Sequence, residues 1–341
     1  METRLLLPTK ENITTVGRTL QQGMLAGIPT ETVYGLAANA LDGAAVAEIF
    51  KAKGRPMDNP LIVHISDFSQ IERFSLVRQI PEKAYLLARK FWPGPLTVIM
   101  PKGITIPDEV SAGLDTVAIR FPSHPVTKAV IAAADRPLAA PSANTSGSPS
   151  PTTAGHVYHD MQGKIPYILD GGICEVGVES TVITLCSPVP MLLRPGGITL
   201  EQLEDVLGEV EVNDAVLHKL KDGEKAESPG MKYKHYAPKA DLILVKADDD
   251  KFIRFVNDRA DEKTGALCYD EDMPLLNVRS FPFGCKGDYT AQANRLFDAL
   301  RAIDETDIQT VYGRCPDTQG LALAVYNRLI RSAGFEVIEL A

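Results

Sequence analysis

The chain has 341 residues, 45% apolar and 23% charged, with a formal net charge of −9, which predicts two or three domains, a core of ordinary size and no dedicated nucleic-acid binder, although a local basic patch stays open. Five scattered cysteines with no C-x-x-C pair argue against a disulfide framework or a common structural zinc, so a reduced, cytoplasmic protein is expected. No run reaches the roughly 18 apolar residues of a transmembrane helix, and the opening Met1-Glu-Thr-Arg-Leu-Leu-Leu-Pro8 is too short an apolar run for a signal peptide.

Apolar spacing predicts a first helix over Ile13–Ala26 and an alanine-rich second over Gly43–Ala52. Leu61–Ile65 reads as a buried strand, and Pro81–Phe91 as a helix broken by Pro93-Gly-Pro95. Leu96–Met100, Thr116–Arg120 and Leu138–Ala140 read as strands, with a helix over Pro125–Ala134 between the last two. Tyr167–Leu169, Ser180–Leu185 and Met191–Leu193 follow as strands, and Leu200–Leu207 as a helix. Helices and strands joined by both short and long connections predict a mixed α/β sheet over residues 1–208.

Composition turns polar near Gly208, and 209–240 reads as a linker containing the charged run Lys219–Glu227. Its end, Ser228–Pro238, carries two tyrosines, a histidine and two lysines, which is unusual for a passive spacer. From Asp241 strands and helices alternate strictly to the end of the chain, which predicts a small parallel three-layer α/β/α domain, Rossmann-like, over 241–341.

Two polar clusters stand out in the first half. Lys51, Lys53 and Arg55 surround Gly54 and lead through Asn59 into the strand that ends at His64. Ser142-Ala-Asn144 leaves an apolar strand and continues through Ser146, Ser148 and Ser150. Cations beside a glycine, paired with hydroxyls at a strand end, suit a polyphosphate. Solvated charge at a helix end and a plain surface turn are the alternatives. There is no G-x-x-x-x-G-K-[ST] loop, no G-x-G-x-x-G and no G-x-S-x-G elbow, and no Cys–His or Ser–His pair suggests covalent catalysis. His156-Val-Tyr-His159 lacks a zinc pattern and reads as a solvated helix face. An enzyme built this way works by positioning and electrostatics.

Thr30-Glu-Thr-Val-Tyr-Gly-Leu36, Lys53-Gly-Arg55 leading into Asn59-Pro-Leu-Ile-Val-His64, Ser142-Ala-Asn144 and Glu179-Ser-Thr-Val182 together resemble the YrdC-type threonylcarbamoyl-AMP synthases, in their long two-domain form. The resemblance implies a YrdC-like twisted sheet and a nucleotidyltransferase activity: L-threonine, bicarbonate or CO2, and ATP give threonylcarbamoyl-AMP and pyrophosphate, for the threonylcarbamoyladenosine modification of tRNA. It implies that Lys53, Arg55, Ser142 and Asn144 hold the phosphates. Asn59, Thr116, Ser150, Arg194 and Tyr236 would contact the nucleotide. Arg120 would clamp the threonine carboxylate, with Thr32, His64, Ala140 and Ser180 lining the amino-acid pocket. The linker would act as a lid. Magnesium is expected with ATP, without a constellation that names its ligands. Direct tRNA contact and hand-over to the transfer machinery stay open, no membrane partner is expected, and the tail is open between ligand, partner and anchoring roles. A double-stranded RNA-binding module and a hydrogenase-maturation carbamoyltransferase are the competing readings. The acidic charge disfavours the first, and the missing zinc-finger cysteine pairs disfavour the second.

Overall fold

Many of the strands that carry the first half of the chain are short and rich in alanine, glycine and β-branched residues, and they hold together by pairing in one wide sheet. The structure is a computed structural model, and it describes residues 1–219 and 236–340. The chain divides into two units: among the described residues the first takes in Met1–Ser146, Ser150–Glu175 and 179–219, and the second Gly147–Pro149, Val176–Val178 and 236–340. No helix of the described residues is long and apolar enough to cross a membrane.

The strands of the first unit are β1 (Arg4–Leu6), β2 (Ala26–Ile28), β3 (Gly35–Asn39), β4 (Ile62–His64), β5 (Leu96–Pro101), β6 (Thr116–Arg120), β7 (Leu138–Ala139), β8 (Tyr167–Leu169), β9 (Thr181–Thr184), β10 (Met191–Arg194) and β11 (Glu211–Val212). They form one mixed 11-stranded sheet in the order β1-β8-β2-β3-β7-β4-β6-β5-β9-β10-β11. Its helices are α1 (Lys10–Gln21), α2 (Gly43–Lys53), α3 (Gln70–Arg73), α4 (Glu82–Phe91), α5 (Asp108–Ser111), α6 (Pro125–Ala134), α7 (Ala154–Met161) and α8 (Leu200–Leu207). The expected mixed α/β sheet is thus present, with several boundaries moved.

Alternation along β6 sorts its side chains between two faces. Val117 and Ile119 join Val63, Val98, Met100, Ile183 and Leu192 beneath Leu87 of α4 and Leu203 of α8. Ala118 joins Ile62, Ile99, Val182, Leu193 and Ala215 in a much smaller cluster on the other face. Thr116 and Arg120 share the face of Ala118. In the paired register His64 and Thr97 lie directly beside Arg120. The thinly covered face is therefore the one that carries polar groups.

Three expectations need correction. The first helix starts at Lys10, capped by the Thr9 side chain, and stops at Gln21. Gly23 then turns the chain at φ 82°, and Ala26–Ile28 becomes a wholly buried strand instead of the helix end. Pro29–Gly35 accordingly joins two antiparallel strands and not two helices. Residues from 209 do not begin a linker: β11 pairs with β10, and the short turn Asp214–Val216 buries Ala215 and Val216. The rest of the expected lid, 220–235, lies outside the described residues.

The second unit holds β12 (Asp241–Lys246), α9 (Asp249–Asn257), β13 (Thr264–Cys268), β14 (Arg279–Pro282), α10 (Tyr289–Asp304), β15 (Thr310–Arg314), α11 (Ala322–Ser332) and β16 (Val337–Glu339). Every pairing is parallel, in the order β14-β13-β15-β12-β16. Strand β14 adds a member that the alternation does not predict. Phe252 and Val256 of α9 cover Val245, Ala266 and Cys268. Arg314 at the end of β15 is 3% exposed and grips Asp272 with two bonds of 2.8 and 2.5 Å. That fork-to-carboxylate match satisfies a charge pair that burial would otherwise penalise.

Helices α1 and α6 cross at Gly17, where an added Cβ would lie 2.7 Å from the Ala133 Cβ and 2.8 Å from its carbonyl carbon. Alanine improves helix propensity by about 1 kcal/mol, but overpacking against backbone costs about 1–3 kcal/mol. Gly17→Ala is therefore expected to destabilise by about 1 kcal/mol, read as a lower urea midpoint at unchanged slope. A raised midpoint would show that the crossing relaxes freely.

Candidate active site

The two polar clusters meet. Helix α2 ends at Lys53, and Gly54 closes it in the left-handed region at φ 63°. Lys53 is 2% exposed, and its Nζ donates to the carbonyl oxygens of Ser142 and Asn144, both at 2.5 Å. Ser146 returns a bond from its N–H to the Lys53 carbonyl at 2.9 Å. On its other side the Ser142–Asn144 segment is pinned to β3: Ser142 bridges Gly35, and the Ala143 N–H donates to the Tyr34 carbonyl at 2.8 Å. Arg55 turns its Nη2 towards the carbonyls of Asn59 and Pro60 at 3.3 and 3.2 Å. Both cations thus brace loop backbone. Burial, and then the Arg55 charge, push the Lys53 ammonium well below its ordinary range, while the carbonyls aimed at Nζ oppose that shift.

A second group gathers at the end of β6. Arg120 is 4% exposed, with Nη2 2.8 Å from Oε1 of Glu31, which comes from the β2–β3 turn. The contact is close but not aligned: Nε and Nη2 of Arg120 and both Glu31 oxygens lack a hydrogen-bond partner. Burial would raise the Glu31 carboxyl, but the Arg120 charge and nearby N–H groups outweigh it and hold it below its ordinary range. His64 stands beside them with Nδ1 3.1 Å from the Ile62 carbonyl. That contact favours a proton on Nδ1, with the Leu138 backbone also close to the ring. Burial first, then Arg120, push His64 down to about 3, so it is neutral at physiological pH. Ser180 shares a 2.8 Å contact with Thr97 and is held by Arg194, whose Nε and Nη2 donate to its carbonyl at 3.0 Å and its hydroxyl at 3.2 Å. Thr32 contacts the Thr30 hydroxyl at 2.8 Å. The Ala140 N–H donates to the Ile62 carbonyl at 3.0 Å, which ties this end to β4.

The remaining expected residues are spread more widely. Asn59 is 1% exposed with its Oδ1 unpartnered. Ser150 is buried and donates to Glu179. Thr116 lies at the far end of β6 and lines a separate cavity of about 320 Å³ with Asp115, Thr184, Leu193 and Asn213. Tyr236 belongs to the second unit, where it stacks on Phe297 at 5.2 Å and its carbonyl accepts from Ser332. Glu31, Thr97 and Glu179 are parts of the arrangement that motif reading gives no role. Their partners, Arg120, Ser180 and Ser150, lie at least 29 residues away in sequence, so only the fold brings them together. A cavity of about 590 Å³ is lined by Lys51, Lys53, Gly54, Thr145 and Lys164 and holds none of the Arg120 group. No group of three or more His, Cys, Asp or Glu side chains among the described residues could hold a metal ion.

The wide mixed sheet, with a buried cation–carboxylate pair at the end of one of its strands and a Lys53-braced, hydroxyl-bearing loop, has the architecture of a YrdC-like domain. Residues 18–196 match the Sua5/YciO/YrdC family, described as telomere recombination, and residues 198–334 match the threonylcarbamoyl-AMP synthase C-terminal domain. Threonylcarbamoyl-AMP synthase of Pyrococcus abyssi is 46% identical over 94% of this chain and 94% of its own, and that of Bacillus subtilis 45% identical over 94% and 92%. The crystal structure of P. abyssi Sua5 complexed with L-threonine is similar at a TM-score of 0.91 and 44% identity, covering 100% of this chain and 99% of that one. This chain belongs to the threonylcarbamoyl-AMP synthase family.

The neutral His64 makes stability depend on pH. Unfolding returns it to its ordinary value of 6.5, while the folded value is about 3. Between those limits the unfolded state binds the extra proton, so stability is lost as pH falls, by up to roughly 1.4 kcal/mol per pH unit from this group. His64→Gln should flatten the slope of unfolding free energy between pH 6.5 and 4. An unchanged slope would show that His64 protonates in the folded protein.

Proposed function

We infer that the chain forms threonylcarbamoyl-AMP and pyrophosphate from L-threonine, bicarbonate and ATP. The observation that carries this reading is the buried Arg120, whose Nε and Nη2 have no aligned acceptor, beside a neutral His64. A guanidinium in that state is set for a carboxylate. The sequence relationship to proteins named threonylcarbamoyl-AMP synthase supports the same reading along nearly the whole chain.

The chemistry asks for positioning. Threonine, bicarbonate and ATP balance against threonylcarbamoyl-AMP, pyrophosphate and water. The ammonium passes one proton to bicarbonate, which leaves as water and CO2. The neutral amine then bonds to the carbon of CO2 and releases one further proton, leaving a carbamate that keeps one N–H. A carbamate oxygen then bonds to the α-phosphorus as the bond to pyrophosphate breaks. No enzyme nucleophile takes part, which agrees with a site built of fixed donors. Holding an unstable carbamate in line with a phosphoryl group and away from water contributes through proximity and preorganised charge.

In this reading Arg120 takes the threonine carboxylate, with Thr32, His64, Ala140 and Ser180 around it. Ser142 and Asn144 present the phosphate loop, Lys53 braces it, and Arg55 braces the Asn59–Pro60 segment and lends positive charge. Asn59, Ser150 and Arg194 serve the nucleotide end. Magnesium enters as the companion of the triphosphate, that is, as part of the substrate. The product is an activated carbamoyl group on its way to the tRNA modification, so release must be matched to a downstream acceptor.

Pyrophosphate release from ATP should require both L-threonine and bicarbonate. ATP turnover indifferent to threonine would refute the assignment. Arg120→Lys, which keeps charge but loses the planar fork, should raise the threonine KM about 10- to 100-fold and leave the KM for ATP nearly unchanged. An equal rise in both would place Arg120 elsewhere in the mechanism.

A further inference from the structure

Glu31 has no part in the roles set out above, yet it is 3% exposed and lies against Arg120. A buried carboxylate is unfavourable unless charge and hydrogen bonds replace its water. Arg120 supplies the charge. Hydrogen bonds are missing: neither Glu31 oxygen has an aligned donor, and Nε and Nη2 of Arg120 have no aligned acceptor. The N–H groups of Glu31 and Ser123 lie near the carboxylate without being aligned to it. A pair kept only for structure would be expected to close on itself, because a guanidinium fork matches a carboxylate with two parallel bonds. The Asp272–Arg314 pair of the second unit does so. The Glu31–Arg120 pair instead keeps spare acceptors on one member and spare donors on the other.

An α-amino acid zwitterion carries the complementary pattern on a single carbon. Its carboxylate accepts, and its ammonium donates. The charge that acts most on Glu31 is the cationic Arg120, and Glu31 in turn acts on His64 and His124. Glu31 therefore supplies the negative charge for an ammonium at this point.

We propose that Glu31 receives the α-amino group of the amino-acid substrate while Arg120 receives its carboxylate, so that the two residues read the zwitterion together. The proposal rests on the reading of L-threonine as substrate. Anchoring both ends fixes the nitrogen, so that once the ammonium has passed a proton to bicarbonate its lone pair faces the carbon that it must attack. Glu31 is in this view a substrate-binding residue, and the site selects α-amino acids over hydroxy acids of the same size.

The test separates this role from that of a counter-ion for Arg120. L-threonine and 3-hydroxybutyrate, which is threonine without its amino group, are titrated calorimetrically into the full chain and into Glu31→Gln. Glu31→Gln should weaken L-threonine at least tenfold. It should leave 3-hydroxybutyrate unchanged or bind it more tightly, because a negative charge beside its carboxylate has gone. ATP affinity should stay within twofold. Parallel loss of both acids would mean that Glu31 acts only by placing Arg120, and unchanged L-threonine affinity would mean that it acts on neither; both overturn the proposal. If Glu31→Gln lacks a cooperative melt, Glu31→Asp serves with the same ligands: the charge stays, the oxygens withdraw, and only L-threonine should lose affinity. Failure of the unaltered chain to bind L-threonine would instead refute the substrate reading beneath the proposal.

Discussion

The rest of the site depends on one buried ammonium. Lys53 Nζ ties the end of α2 to the Ser142–Asn144 segment through two carbonyl oxygens at 2.5 Å. Lys53 is the last residue of α2, and the Ser142–Asn144 segment beyond β7 belongs to no strand, so the tie fixes that segment where regular structure has ended. A buried lysine is tolerated only because carbonyl dipoles take the place of water. The segment it anchors continues directly from β7, which pairs with both β3 and β4. A change at Lys53 is therefore felt at the sheet as well as at the phosphates.

Charge is arranged with a gradient of completeness. Lys53 is surrounded by acceptors, and Arg194 is committed to Ser180 through Nε and Nη2. Arg120 and Glu31 are close but unsatisfied. The Lys53 and Arg194 contacts are in place, and within the amino-acid end the Arg120–Glu31 pair keeps side-chain groups open while Ser180 and Thr32 are already bonded. Burial maintains His64 as a neutral group beside that pair, so the amino-acid end has a fixed protonation pattern across physiological pH.

Legibility from sequence followed local signal strength. Thr116–Arg120 and Pro125–Ala134 appear with the bounds their patterns predict. Ala26–Ile28 and Gly35–Asn39 do not, because alanine and glycine carry little strand preference and only burial on both sides selects the extended form. Arg279–Pro282 is similarly hidden by its charged first residue and closing proline. At the site, motif spacing brought Lys53, Ser142 and Asn144 together correctly. It could not reveal that Glu31 faces Arg120, since that contact is made by a turn and a distant strand meeting across the sheet. Nor could it reveal that Lys53 and Arg55 are engaged by carbonyl oxygens, because main-chain acceptors leave no mark in a sequence.

The correction at residue 209 has a consequence for the rims of so wide a sheet. An open sheet exposes unpaired N–H and C=O groups along its two outer strands, and long flat margins recruit further strands from other chains. Here the margins are β1, of 3 residues, and β11, of 2. Arg4 opens one, and Glu211 opens the other, both exposed. Each margin offers a partner strand too few bonds to repay its ordering, and a charge at its start. Had the chain left the sheet at 208, β10 with its buried leucines would have been the rim. Among the described residues, the two residues of β11 form a selvedge to the 11-stranded fabric, a short hem opened by a charge in place of a leucine-bearing rim.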